Sequence, residues 1–215
     1  MNADDFFFRN RYFDEDKMFT RIRTIAQTEK LDETYRALNY MREHHEGQYR
    51  KPSRHSDGRI PYIYHPLMMA CHAYALGVRD DVILASILLH DVVEDTEVKL
   101  DELPFSDEVK NTVDLVSFKV GEGEEKAEAK KRYYEKIKKD KRACVVKVID
   151  RCNNVSTMAQ SFTREKLIEY VNETEEFVMP VLEALKDDHL EYAELSFIVK
   201  YHIISVIETV KNLIS

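Results

Sequence analysis

The chain has 215 residues; 44% are hydrophobic and 33% charged, with only five glycines and five prolines. That content excludes collagen-like, linker-like and broadly disordered chains, and it argues against a turn-rich all-β fold. Lys and Arg number 32 against 40 Asp and Glu, a net charge of −8, which is the wrong sign for a general binder of nucleic-acid backbone.

In chain order, residues 1–30 read as an extension to an all-α, single-domain helical bundle. Their start, MNADDFFFRNRYFDEDK, lacks the basic beginning and apolar centre of a signal peptide. Phe6 to Phe8 suit either a core clasp or an interface patch. Leu38, Met41 and His45 are spaced for one face of a helix over residues 31–46. Gly47, Pro52, Gly58, Pro61 and Pro66 then fall close together, which reads as a long loop of the kind that often carries function. Pro66 suits the first position of a helix over 66–76.

Asp80 or Asp81 can cap a helix running to about residue 94. Its apolar run, 82–89, is too short to span a bilayer. Ser106 can cap a helix to about residue 118. Gly121 and Gly123 in VGEGEEKAEAKK mark a second connection. Helices over 128–139 and 141–157 follow. Thr163 can cap the next, which must kink or end near Pro180. The bundle is expected to occupy 31–185, with 186–215 as a final helix packed on it. In that helix Leu190, Ala193, Phe197, Tyr201 and Ile204 recur at spacings of three and four, the pattern of a core-facing stripe. Cys71, Cys144 and Cys152 are odd in number and lack CxxC spacing. A disulfide framework or thiolate zinc site is therefore not expected, and a reducing cytoplasmic compartment is.

The segment ILASILLHDVVEDTEV carries the chemistry. On a helix, positions four apart share a face, so His90 lies over Glu94 and Asp91 over Asp95. Four ionisable groups then crowd a patch beside buried surface, where a metal ion is a usual remedy for the cost of burying charge. The bland alternative is a helix end entering water with an acidic tail. His65 precedes Pro66, which holds its backbone extended. Asp150 follows the apolar residues Val145, Val146, Val148 and Ile149, and a buried aspartate needs a partner. Arg151 next door would be the plain one. Two imidazoles and two carboxylates suit Mn²⁺, Fe²⁺ or Zn²⁺, and ligand type does not choose among them.

His65, His90, Asp91 and Asp150 form an H…HD…D series, the signature of the HD-domain phosphohydrolase superfamily, which this chain resembles. The likeness sharpens over residues 35–185. HHEGQYRK, GRIPYIYHP, LLHDVVEDTE, VKVIDRCNNVSTM and YVNETEEFVMPVL are similar to successive motifs of the RelA/SpoT-homologue hydrolase domain, and most of all to the stand-alone small alarmone hydrolases.

What the resemblance implies is metal-dependent hydrolysis of guanosine 3′,5′-bis(diphosphate), with release of pyrophosphate from the 3′ position. His65, His90, Asp91 and Asp150 would hold Mn²⁺ or another divalent ion. Glu94 and Asp95 would orient or deprotonate the attacking water. Arg50 and Lys51 would frame the nucleotide, and Asn154 and Thr157 would contact sugar or phosphate. Arg54, Arg59, Lys147 and Arg151 add local positive charge that lets an acidic protein take a polyanion. The expected partner is thus a small nucleotide, with no nucleic acid and no membrane, and the oligomeric state stays open. An adenosine-based alarmone, or alarmone binding without turnover, are the other readings. The chain departs from the pattern at KPSRHSDGRIP, which is longer than the family's link, at Phe105-Ser106 and at Cys152-Asn153. It holds the hydrolase region without a counterpart of a synthetase half. Cys152 reads as packing rather than as a nucleophile.

Overall fold

The computed structural model describes residues 14–51 and 60–214. Among them the structure is helical, with one isolated antiparallel bridge, Tyr49 to Pro61, and no strand. The all-α expectation holds. The helices fall into two compact units, divided between Val109 and Lys110. Phe6 to Phe8, Pro52, Arg54, Gly58 and Arg59 lie outside the described residues.

In the first unit, α1 (Glu15–Glu29), α2 (Asp32–His44), α3 (Tyr64–Ala75) and α4 (Asp81–Leu89) pack on one another. Asp14 caps α1 by accepting from Lys17 N–H, and Asp80 caps α4 by accepting from Ile83 N–H. Helix α2 has no local cap: Leu31 precedes it. Asp81 supplies one from another helix. Its carboxylate accepts from Glu33 N–H at 3.0 Å, Thr34 N–H at 2.8 Å and the Thr34 hydroxyl at 2.6 Å. Orphan N–H groups at a helix start need such acceptors, so α2 is pinned to the start of α4. Met41, Leu67, Ile83 and Ile87 fill the core between them.

The helix expected to run to residue 94 is interrupted. Helix α4 stops at Leu89, His90 and Asp91 form a turn, and α5 (Val92–Asp95) resumes for four residues. Asp95 N–H still reaches Asp91 C=O at 2.8 Å, so the one-turn spacing of those two acids survives the break.

Helix α6 (Asp107–Val116) crosses the division between the units, and Ser106 accepts from Val109 N–H at its start. The second unit holds α7 (Lys126–Ile137), α8 (Lys141–Met158), α9 (Arg164–Glu173), α10 (Met179–Asp188) and α11 (Ala193–Ile214). Thr163 caps α9 as expected. Between α9 and α10 lies a π-helical turn, Thr174–Val178, in which Met179 N–H bonds Thr174 C=O five residues back. Pro180 follows and has no N–H to give Glu176, so the chain passes through a widened turn near where the helix was expected to kink or end.

Helix α11 packs on α8 and α10, but not by the stripe read from its sequence. Leu190, Phe197 and Tyr201 are 77%, 69% and 71% exposed, and Ile204 is also exposed. The buried face is Leu195, Val199, Ile203, Ile207 and Val210. The helix is apolar on two sides, and periodicity does not say which side meets the core. No helix among the described residues is long and apolar enough to cross a membrane.

Candidate metal centre

His90 ends α4, beyond seven buried residues, Ile83 to Leu89, and is itself buried. Its Nδ1 lies 2.8 Å from the carbonyl oxygen of Ile87. A carbonyl only accepts, so Nδ1 carries a proton and Nε2 is the ring nitrogen left for a metal. That Nε2 faces Asp91 Oδ2 at 2.9 Å. His65 is the second residue of α3, helical where Pro66 was expected to start the helix and to hold His65 extended; it is also buried and turns its Nε2 to the same oxygen at 3.9 Å. The two imidazole rings meet edge to face at 5.3 Å. One donor atom from each of the three residues lies within 4.8 Å of the other two. Donors about 2.0–2.2 Å from a divalent ion stand roughly 3–4 Å apart around it, so this convergence has the size and chemistry of a metal site.

Asp95 stands one turn beyond Asp91 and joins it through Tyr62, whose hydroxyl donates within hydrogen-bond distance of both carboxylates. Burial and the two carboxylates beside it push the Tyr62 phenol far above its ordinary range, so it stays protonated. Glu94 is exposed on α5. Arg50 and Lys51 are the last described residues before position 60, and Arg50 N–H bonds Ile60 C=O at 2.8 Å. His45, read from its spacing only as a helix-face residue, and Gln48, which no spacing singled out, complete this side. Gln48 Oε1 is 2.7 Å from His45 Nδ1, and the His45 ring stacks on Tyr62. Burial pulls the His45 pKa below its ordinary value, against the pull of Gln48, Asp91 and Asp95.

Asp150, Asn154 and Thr157 share helix α8 of the second unit. Asp150 is buried after a run of fully buried Val145, Val146, Val148 and Ile149. Its Oδ2 takes Lys147 Nζ at 3.1 Å and its Oδ1 takes Asn154 Nδ2 at 2.6 Å. Thr157 bonds the backbone carbonyls of Asn153 and Asn154. Arg151 goes elsewhere: its guanidinium bonds Glu173, Tyr134 and Thr174 and lies over the Tyr170 ring. Cys152 is fully buried, and burial pushes its thiol up to about 12. It packs, as its surroundings in the sequence imply.

The chain is similar to a GTP pyrophosphokinase of Streptomyces coelicolor, 34% identical over 183 residues that cover 81% of this chain and 20% of the relative. It is likewise similar to a guanosine-3′,5′-bis(diphosphate) 3′-pyrophosphohydrolase of Aquifex aeolicus, 33% identical over 159 residues, 72% of this chain and 22% of that one. It therefore spans about a fifth of the length of these curated relatives. Among solved structures, one described as a metazoan ortholog of SpoT that hydrolyzes ppGpp superposes with a TM-score of 0.64. The two are 22% identical, and the match covers 83% of this chain and 95% of the other, which supports the shared fold. Residues 37–177, which contain His65, His90, Asp91 and Asp150, match the HD domain, and the chain belongs to the HD domain family.

Proposed function

We propose that this protein removes pyrophosphate from the 3′ position of guanosine 3′,5′-bis(diphosphate), leaving GDP. The observation that carries the reading is the convergence of His65, His90 and Asp91, with His90 Nε2 turned inward by the Nδ1–Ile87 bond. The names of the curated relatives supply the substrate class.

The donor set fits a divalent metal, and Mn²⁺ is the proposed one, with Asp150 as fourth protein ligand. When bound, it would make a coordinated water more acidic and polarise a phosphoryl oxygen. The residues do the rest. Asp95, with Glu94 beside it, takes a proton from the attacking water. The water oxygen bonds to the phosphorus carried on O3′, the O3′–P bond breaks, and pyrophosphate leaves as O3′ takes up a proton. Arg50 stacks on or grips the nucleotide, and Lys51 neutralises phosphate charge. Asn154 and Thr157 meet the sugar or the phosphates from α8. The partner is a small nucleotide and not a nucleic acid, and the cytoplasm is the proposed location.

The test is a product assay on purified protein with and without Mn²⁺, offering guanosine and adenosine bis(diphosphates) in parallel. GDP and pyrophosphate formed only with metal, and lost in Asp150→Ala, support the proposal. Turnover of the adenosine compound alone transfers the chemistry to another base. Binding of the alarmone without product makes the protein a sensor.

A further inference from the structure

The Tyr62 hydroxyl has one proton, and two carboxylates reach for it. It lies 2.5 Å from Asp91 Oδ2 and 2.6 Å from Asp95 Oδ2, so the one proton is shared between the two carboxylates as a three-centre bond. The two acids cannot drift apart by more than the sum of those contacts while both are kept. Asp95 is also held from behind, since Gln48 Nε2 donates to its backbone carbonyl at 3.0 Å. Gln48 and Tyr62 are themselves tied, with Tyr62 N–H donating to Gln48 C=O at 2.9 Å. Gln48, Tyr62 and Asp95 thus close a ring of three bonds. His45 backs it, with its Nδ1 at 2.7 Å from Gln48 Oε1 and its ring centroid 4.6 Å from that of Tyr62.

This ring does what α5 cannot. A helix of four residues with an exposed acid at its end gives that side chain little packing to define its direction. A general base must be placed to a fraction of an ångström to be effective. We infer that Tyr62 and Gln48 are positioning residues that hold Asp95 at a set distance from Asp91, with His45 as the backstop that keeps both in place. The inference rests on the alarmone-hydrolase reading of the site. The clamp also shares its backbone with Arg50, which stands two residues beyond Gln48 on the same bridge. Groups proposed to meet the substrate and the group proposed to meet the water therefore hang from one short pairing.

The two arms of the clamp are separable. Gln48→Met keeps side-chain length and removes both amide bonds, touching Asp95 but not Asp91. Tyr62→Phe removes the hydroxyl from both. Full-length wild type and both variants are compared for Mn²⁺ affinity by calorimetry, for kcat and KM on guanosine 3′,5′-bis(diphosphate), and for melting temperature. Gln48→Met should lower kcat about tenfold with Mn²⁺ affinity unchanged, and Tyr62→Phe should lower kcat and Mn²⁺ affinity together, by about 10–100-fold. The double variant should be little worse than Tyr62→Phe, because both act through Asp95. If Gln48→Met melts too early to assay, His45→Gln tests the same arm and should also lower kcat at constant metal affinity. Wild-type kcat in Tyr62→Phe overturns the inference, as does metal affinity falling in step with kcat in Gln48→Met. A folded, Mn²⁺-binding wild type without turnover overturns instead the reading beneath it.

Discussion

His90 Nε2 faces Asp91 Oδ2 across 2.9 Å, and His65 Nε2 stands 3.9 Å from that same oxygen. With Nδ1 of His90 committed to the Ile87 carbonyl, its Nε2 and the Asp91 oxygen that both imidazoles face make a donor group of the kind a divalent cation takes. A cation bound to the native state alone stabilises it, by about 2.7 kcal/mol at a hundredfold excess over Kd. Thermal melts of wild-type protein should therefore shift upward with Mn²⁺ and back with chelator. In Asp91→Asn, which keeps the shape and removes the charge, the shift should nearly vanish. An equal shift in both proteins would place the ion elsewhere.

Asp81 ties α4 to the start of α2 through three hydrogen bonds, one of them from the buried Thr34 hydroxyl. Loss of a capping acceptor costs about 0.5–2 kcal/mol, and the Thr34 hydroxyl keeps its longer contact with the Asp81 backbone carbonyl at 3.2 Å. Asp81→Ala should lower unfolding free energy in urea by about 1–2 kcal/mol, and Asp81→Asn, which keeps one acceptor oxygen, by less. A loss of about 0.5 kcal/mol or less in the alanine variant, as for an ordinary surface site, would show that the cap is not what holds α2.

The parts of this architecture written locally are the parts the sequence discloses. Asp80, Thr163 and Ser106 cap helices three residues ahead of the N–H they accept from, and such spacing can be seen in one dimension. His90 and Asp91 are neighbours at the end of an apolar run, so their pairing is legible too. Tyr62 and Gln48 are not, because they meet through backbone pairing that no periodicity encodes. Neither is the cap that Asp81 lends to α2 from 47 residues away. The two-sided apolar pattern of α11 fails for a different reason: Ile203 and Ile204 are adjacent and equally apolar, yet the first is buried and the second exposed. Which face of such a helix is covered depends on α8 and α10, not on its own period.

Asn154 was expected to reach substrate, and in the structure its Nδ2 lies 2.6 Å from Asp150 Oδ1 while Lys147 holds Oδ2 at 3.1 Å. A carboxylate gripped at both oxygens is fixed in orientation, the service that partners of a metal ligand commonly provide. Asn154→Ala should therefore weaken Mn²⁺ binding by about tenfold, measured without nucleotide by calorimetry. A raised KM with metal affinity unchanged would return Asn154 to a purely substrate-facing role.

Glu173 accepts from Arg151 at 2.5 Å, from Lys130 at 2.6 Å and from the Tyr134 hydroxyl at 3.2 Å. Burial opposes its charge, but Arg151 and Lys130 prevail and hold its carboxyl down to about 2. The native state thus binds this proton more weakly than the unfolded chain, whose glutamate has the ordinary value of 4.5. The stability contributed is complete above pH 4.5 and is lost as pH falls from there towards about 2. Glu173→Gln removes that dependence and leaves Arg151 buried without its anion, a costly state. The variant should be less stable than wild type at pH 7, and the gap should narrow as both are acidified below pH 4.5. Urea unfolding at stepped pH measures this directly. A gap that stays constant from neutrality into acid would mean that Glu173 contributes through packing and hydrogen bonding, with its charge of no consequence.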